Sequence, residues 1–105
     1  MTPHDILHPG RLKPARGYAN GVAAQGRLIV TGGMVGWTAE QVIETDDFTA
    51  QAAQALRNVV EVLACADAWP EHLVRLPWYV TDKAEYLDSL KALGRAYKTI
   101  IGAYY

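Results

Sequence analysis

Two stretches of the chain carry apolar residues at helical spacing. The first runs Phe48, Ala52, Leu56, Val59, Leu63 and Ala66. Steps of three and four residues put all six on one stripe, which predicts an amphipathic helix facing a core. Asp46 or Asp47 suits its N-cap and the positive end of its dipole. Trp69-Pro70 is expected to end it, because the residue before a proline avoids helical backbone. The second stretch opens at Asp82, with Glu85 three positions on in a capping-box-like pair. Tyr86, Leu90, Leu93, Tyr97 and Ile100 then keep helical period, Ser89 falls mid-helix, and Gly102 falls where a glycine cap would close the turn.

Elsewhere the pattern shortens. "YANGVAAQGRLIVTGG" (residues 18–33, following Gly17) reads as two strands joined at Gln25-Gly26, the second from Arg27 to Thr31. Gly26 would supply a positive φ at that turn. A loop follows, with one short strand expected around Val42-Ile43. "LVRLPWYVT" (73–81) predicts a further strand, at a sheet edge or bulged where Pro77 has no N–H to give. Residues 1–16 lack periodicity and read as an irregular arm. The order is β-β-α-β-α, an α+β domain with two helices on one face of a sheet, spanning 1–105 as a single unit. Three short strands cover two helical stripes poorly and leave sheet edges open. Either more strands follow Tyr105, or a partner subunit covers the gap.

Bulk properties narrow the function more than they define it. The chain has 105 residues, half of them hydrophobic and a fifth charged, with net charge −1. That is ordinary globular composition, and scattered Lys and Arg argue against a nucleic-acid or acidic-membrane surface. A single cysteine, Cys65, cannot form an internal disulfide and reads as buried helix filler in a reducing cytoplasm. The N-terminus has no signal-type apolar region and no stretch is long enough to span a membrane. The expectation is a cytoplasmic protein without membrane partners.

Local chemistry is sparse. "TGGMVG" (31–36) lacks the lysine and hydroxyl ending of a phosphate loop. It reads as a strand end where backbone comes close to something, and that could include a ligand at the accessible N–H groups of Gly32 and Gly33. His4, His8 and His72 have no partners at metal-ligand spacing, so structural or solvated roles and no metal are expected. No serine or acid pair suggests a catalytic centre. Trp37, Trp69 and Trp78 read as packing groups, since a base-stacking platform wants interleaved basic residues.

In order and spacing, "GYANGVAAQGRLIVTGG", "DFTAQAAQALRNVVEVLACA", "LVRLPWYVTDKAEYL" and "GRAYKTIIGAYY" closely resemble the reactive-intermediate deaminase family (RidA, formerly YjgF). The match covers roughly residues 17 to 105. Its most specific part is Gln51, Gln54, Leu56 and Asn58, followed by Tyr79-Val80-Thr81-Asp82. The resemblance implies a chorismate-mutase-like fold assembled as a homotrimer, with sheets forming a central barrel and clefts between subunits. It also implies hydrolysis of reactive enamines and imines, such as 2-aminoacrylate and its 2-imino acid tautomer, to 2-oxo acids and ammonia, with no metal and no cofactor.

Carried over residue by residue, the resemblance makes Tyr18, Gly32, Gly33, Met34, Gly94 and Tyr97 substrate-binding positions. Gly32 stands where the family usually has Ser, and Met34 where it often has Gln. Asp67 replaces a Gly at the end of the first helix, a mild change because Asp tolerates left-handed backbone. The family's carboxylate-clamping Arg, in a Pro-Ala-Arg stretch, and its water-orienting Glu would follow Tyr105. No catalytic residue is therefore identifiable within 1–105, and the chain is expected to continue. The alternative is a non-catalytic trimer that binds a small metabolite, or acts as a regulator, through the same cleft. RNA cleavage, attributed to some relatives, fits poorly with a mildly negative chain.

Overall fold

The computed structural model describes residues 3–16 and 18–102. In chain order these hold β1 (Asp5–Leu7), β2 (Gly21–Ala23), α1 (Phe48–Ala64), a turn of 3-10 helix (Pro70–His72), α2 (Lys83–Asp88) and α3 (Leu90–Ile100). It is a small α+β structure with a two-stranded antiparallel sheet and three α-helices.

The sheet differs from the expected hairpin. β1, inside the arm read as irregular, pairs with β2 in the register Asp5↔Ala23, Ile6↔Val22 and Leu7↔Gly21. Gly26 does take a positive φ of 138°, but residues 27–31 after it form no ladder. Residues 73–80 likewise form no ladder. Apolar strand residues found no partner among the described residues: Leu28 is 82% exposed, Val30 77% and Tyr79 91%. The expected strand at Val42-Ile43 is instead the exit of a tight turn. Thr38 N–H donates to the Val42 carbonyl at 2.9 Å, with Gln41 at φ 62°.

The first helix starts as the pattern requires. Asp47 caps it, accepting from Ala50 N–H at 2.8 Å. It ends five residues before Trp69, at Ala64. Asp67 turns left-handed at φ 56°, so that Asp67 N–H reaches the Ala64 carbonyl and Ala68 N–H reaches that of Leu63, both at 3.0 Å. These bonds satisfy the last carbonyls, and a C-terminal turn of this kind closes the helix without needing the proline. Trp69-Pro70 opens the 3-10 turn instead.

The second helix is broken in two. Asp82 caps α2 by accepting from Glu85 N–H at 3.2 Å. At Ser89 the backbone N–H bonds back three residues to Tyr86, and the hydroxyl donates to the Glu85 carbonyl at 2.8 Å. The side chain takes the carbonyl that a continuous helix would give to the backbone N–H, which is how serine disturbs helices. α3 then ends at Ile100, and Gly102, φ 96°, closes the turn with its N–H reaching back to Tyr97.

α1 and α3 lie against each other. Val59 and Leu63 of α1, with Ala68, pack against Ile29, Met34 and Leu73. Arg27 donates to the Ala66 carbonyl at 3.0 Å, placing a cation at the negative end of α1. Phe48 and Tyr86 meet edge to face, with centroids 6.2 Å apart, and tie α2 to the start of α1.

Candidate functional site: a groove beside the third helix

One groove gathers half of the expected binding residues. Its walls are the end of the arm and β2, the extended segment 73–78, and α2–α3. Tyr18 stands on the first wall and Gly94 and Tyr97 on the last. The cavity volume is about 700 Å³, within the range of small-molecule sites. Gly94 contributes a bare stretch of helix: a Cβ there would meet nothing within 4 Å. Buried Leu93 and half-buried Tyr86 give the groove an apolar floor, and Arg16, Arg75 and Trp78 stand along it. A second open depression of about 600 Å³ lies around His4, Asp5 and His72 and holds none of the expected binding residues.

The other three expected binding residues lie elsewhere. Met34 packs into the core beside Val59 and Leu63, because an unbranched apolar side chain fills space beside α1 rather than walling a wet cleft. Gly32 and Gly33 are exposed, with open space where a Cβ would stand. The close backbone approach expected in "TGGMVG" occurs instead at Gly36. A Cβ there would sit 2.8 Å from Gln51 Cα and closer still to the Gln51 carbonyl oxygen. The neighbour is the first turn of α1, not a ligand.

The side chains singled out on α1 turn out to be anchors. Gln51 donates to the Thr45 carbonyl at 2.8 Å. Gln54 donates to Asn58 Oδ1, and the Asn58 amide donates to the carbonyls of both Val35 and Trp37, each at 3.0 Å. They stitch the 35–45 loop to the helix. The histidines have structural partners: His8 Nε2 donates to the Leu12 carbonyl while its Nδ1 accepts from Asn20. His4 Nε2 meets the His72 carbonyl at 2.8 Å, and His72 Nδ1 accepts from Trp69 N–H. Cys65, expected to be buried, is exposed, with its thiol against the Glu61 carbonyl. It follows the last residue of α1, where the helix surface turns to solvent. The three tryptophans are each more than a third exposed, so they pack only in part. No group of three or more His, Cys, Asp or Glu among the described residues could hold a metal ion.

Arg16 and Arg75 were not foreseen as site residues. The groove joins segments about sixty positions apart, which no periodicity along the chain relates.

A family model, endoribonuclease L-PSP, matches residues 9–103. The chain belongs to that family. The family lies within the YjgF/RidA superfamily, so the fold and broad function implied by the sequence resemblance hold at that level. Proteins of the L-PSP family are generally homotrimers that bind small molecules. No curated protein and no solved structure matches the chain. Among the described residues no helix is long and apolar enough to cross a membrane.

Proposed function

We propose that this L-PSP family protein hydrolyses small reactive enamines and imines of the 2-aminoacrylate and 2-imino acid type, releasing 2-oxo acids and ammonia. The observation that carries this reading is the meeting of Tyr18, Gly94 and Tyr97, three positions distant in sequence, on one groove of small-molecule size. The reaction asks little of a protein. Water adds to the imine carbon, the C–N bond breaks, nitrogen leaves as ammonia, and the carbon keeps oxygen as a carbonyl. The site must hold the carboxylate, orient the imine face and place the water. Tyrosine hydroxyls suit the last two tasks, since each can donate and accept. The clamping Arg and the Glu that the resemblance implies beyond the second helix are not among the described residues. In this reading the cleft is completed by assembly into a homotrimer in the cytoplasm.

The test is pyruvate release from freshly generated 2-iminopropanoate. Acceleration over buffer is expected, and an unchanged rate would overturn the reading. A second reading, a small-metabolite-binding or regulatory trimer, draws on a specific observation. Among the described residues no Asp, Glu or His lines the groove, while Gly32, Gly33 and Met34 lie away from it. Thermal stabilisation by 2-oxo acids without turnover would favour it. RNA cleavage, which the family's name carries, has less behind it, because a net charge of −1 offers little to a phosphate backbone.

A further inference from the structure

We propose that His72 is a pH-sensitive latch: without a proton on Nδ1 it fastens the N-terminal arm to the wall of the groove that follows it, and protonation there releases the arm. The proposal rests on the hydrogen bonds around the 3-10 turn and not on what the groove binds.

The roles of the ring nitrogens follow from their partners. Trp69 N–H donates to His72 Nδ1 at 3.0 Å. A backbone N–H can only donate, so that nitrogen must present a lone pair. The His72 carbonyl in turn accepts from His4 Nε2 at 2.8 Å, which fixes a proton on that nitrogen of His4. One residue thus holds the entry of its turn with its ring and the arm with its carbonyl. His8 differs. Its Nδ1 accepts from the Asn20 side-chain amide, and an amide can rotate to offer its oxygen instead, so a second proton is accommodated there. The backbone facing His72 has no such remedy.

The latch joins the two walls of the groove. His4 immediately precedes β1, and the arm runs on to Arg16 and Tyr18. His72 immediately precedes Leu73, Val74 and Arg75 on the facing wall. Among the described residues no ladder links the arm to segment 73–78, so the bond from His4 to His72 is a direct tie across 68 positions of chain.

Water reaches the latch without unfolding, because His72 is exposed on the depression that it shares with His4 and Asp5. The titratable groups around it are those two residues of the arm and Glu71 beside it in the turn. The carboxylates draw positive charge to this spot, while a protonated His4 would repel it. A proton on Nδ1 sets one N–H against another, so the bond from Trp69 is lost and the ring must swing away. Two imidazolium rings across the contact would then push arm and turn apart. The closed latch holds no proton at Nδ1, so falling pH favours the open form and rising pH restores the closed one.

The test is amide exchange by NMR on the intact protein at about pH 8 and about pH 5, the span in which histidines ordinarily change charge. Each rate is divided by the intrinsic rate at that pH. Protection of Trp69 and of the β1 amides should fall roughly 3- to 10-fold on acidification, about the worth of one hydrogen bond. His72→Gln keeps an acceptor for the Trp69 N–H, as glutamine does in a capping box, but does not titrate, so its protection should be equal at both pH values. His8→Gln should respond as the parent does. Constant protection in the parent, or an acid response that survives in His72→Gln or vanishes in His8→Gln, would overturn the latch. Ring-nitrogen NMR spectra of the unaltered protein need no variant: at about pH 8 Nδ1 of His72 should be the bare nitrogen, and a proton found on it there would overturn the latch as well.

Discussion

At the scale of single residues, the six-residue run "TGGMVG" contains three glycines with different duties. Gly32 and Gly33 face open space, while Gly36 lets the chain press against the backbone of Gln51. Gly36→Ala must push two backbones apart, and backbone yields less readily than a side-chain tip. The expected cost is about 1–3 kcal/mol or more, read as a lower urea midpoint. Gly33→Ala should stay within about 0.5 kcal/mol of the parent, and equal losses from both would refute the contact. The close approach was legible in the sequence, but its location was not. Three glycines in six residues announce that backbone comes near something; only the fold decides which of them meets α1. Gln51, Gln54 and Asn58 show the same division. The family resemblance marked them, yet the carbonyl partners of Gln51 and Asn58 at Thr45, Val35 and Trp37 lie on a loop that no helical period describes.

At the scale of elements, the helices follow their caps more closely than their stripes. Asp47 and Asp82 start α1 and α2 as local chemistry requires, because an N-cap needs only the next three residues. The stops were harder to read. α1 closes through Asp67, and the second helix divides at Ser89, both places where a short polar residue competes with the helical backbone. Gly94 lies inside α3, where glycine costs stability for lack of a side chain and excess freedom in the unfolded chain. With nothing within 4 Å of its missing Cβ, Gly94→Ala should stabilise the protein by about 0.5–1 kcal/mol. If the groove is the ligand cleft, the same methyl should weaken ligand binding or turnover. A variant that is both more stable and fully active would remove Gly94 from the site.

At the scale of the molecule, surface is in excess. The accessible area is 7979 Å², whereas a compact monomer of 11.5 kDa exposes roughly 5,800 Å². The radius of gyration, 14.8 Å, also exceeds the ~13 Å of a compact domain this long. The surplus of about 2,200 Å² is comparable to a standard protein–protein interface, and exposed apolar side chains such as Leu28, Val30 and Tyr79 contribute to it. Monomeric proteins rarely leave such patches bare. If the protein assembles as proposed, light scattering on a dilution series should find self-association, with three chains per particle. A single-chain mass at every concentration would contradict this.

What the sequence determined by itself is what short-range forces decide: two amphipathic stripes, two aspartate caps, the left-handed tolerance of Asp67 and the closing glycine at 102. Each depends on neighbours within a turn or two. What only the tertiary structure decided is which distant segments meet. A strand needs a partner that its own residues do not name, so β2 pairs with the arm instead of with residues 27–31. A side chain's role depends on the wall opposite, so Met34 is core, Cys65 is surface, and Arg16 and Arg75 share a groove with Tyr18 and Tyr97. Periodicity records which way a residue faces along its own element; it carries no record of what lies across from it.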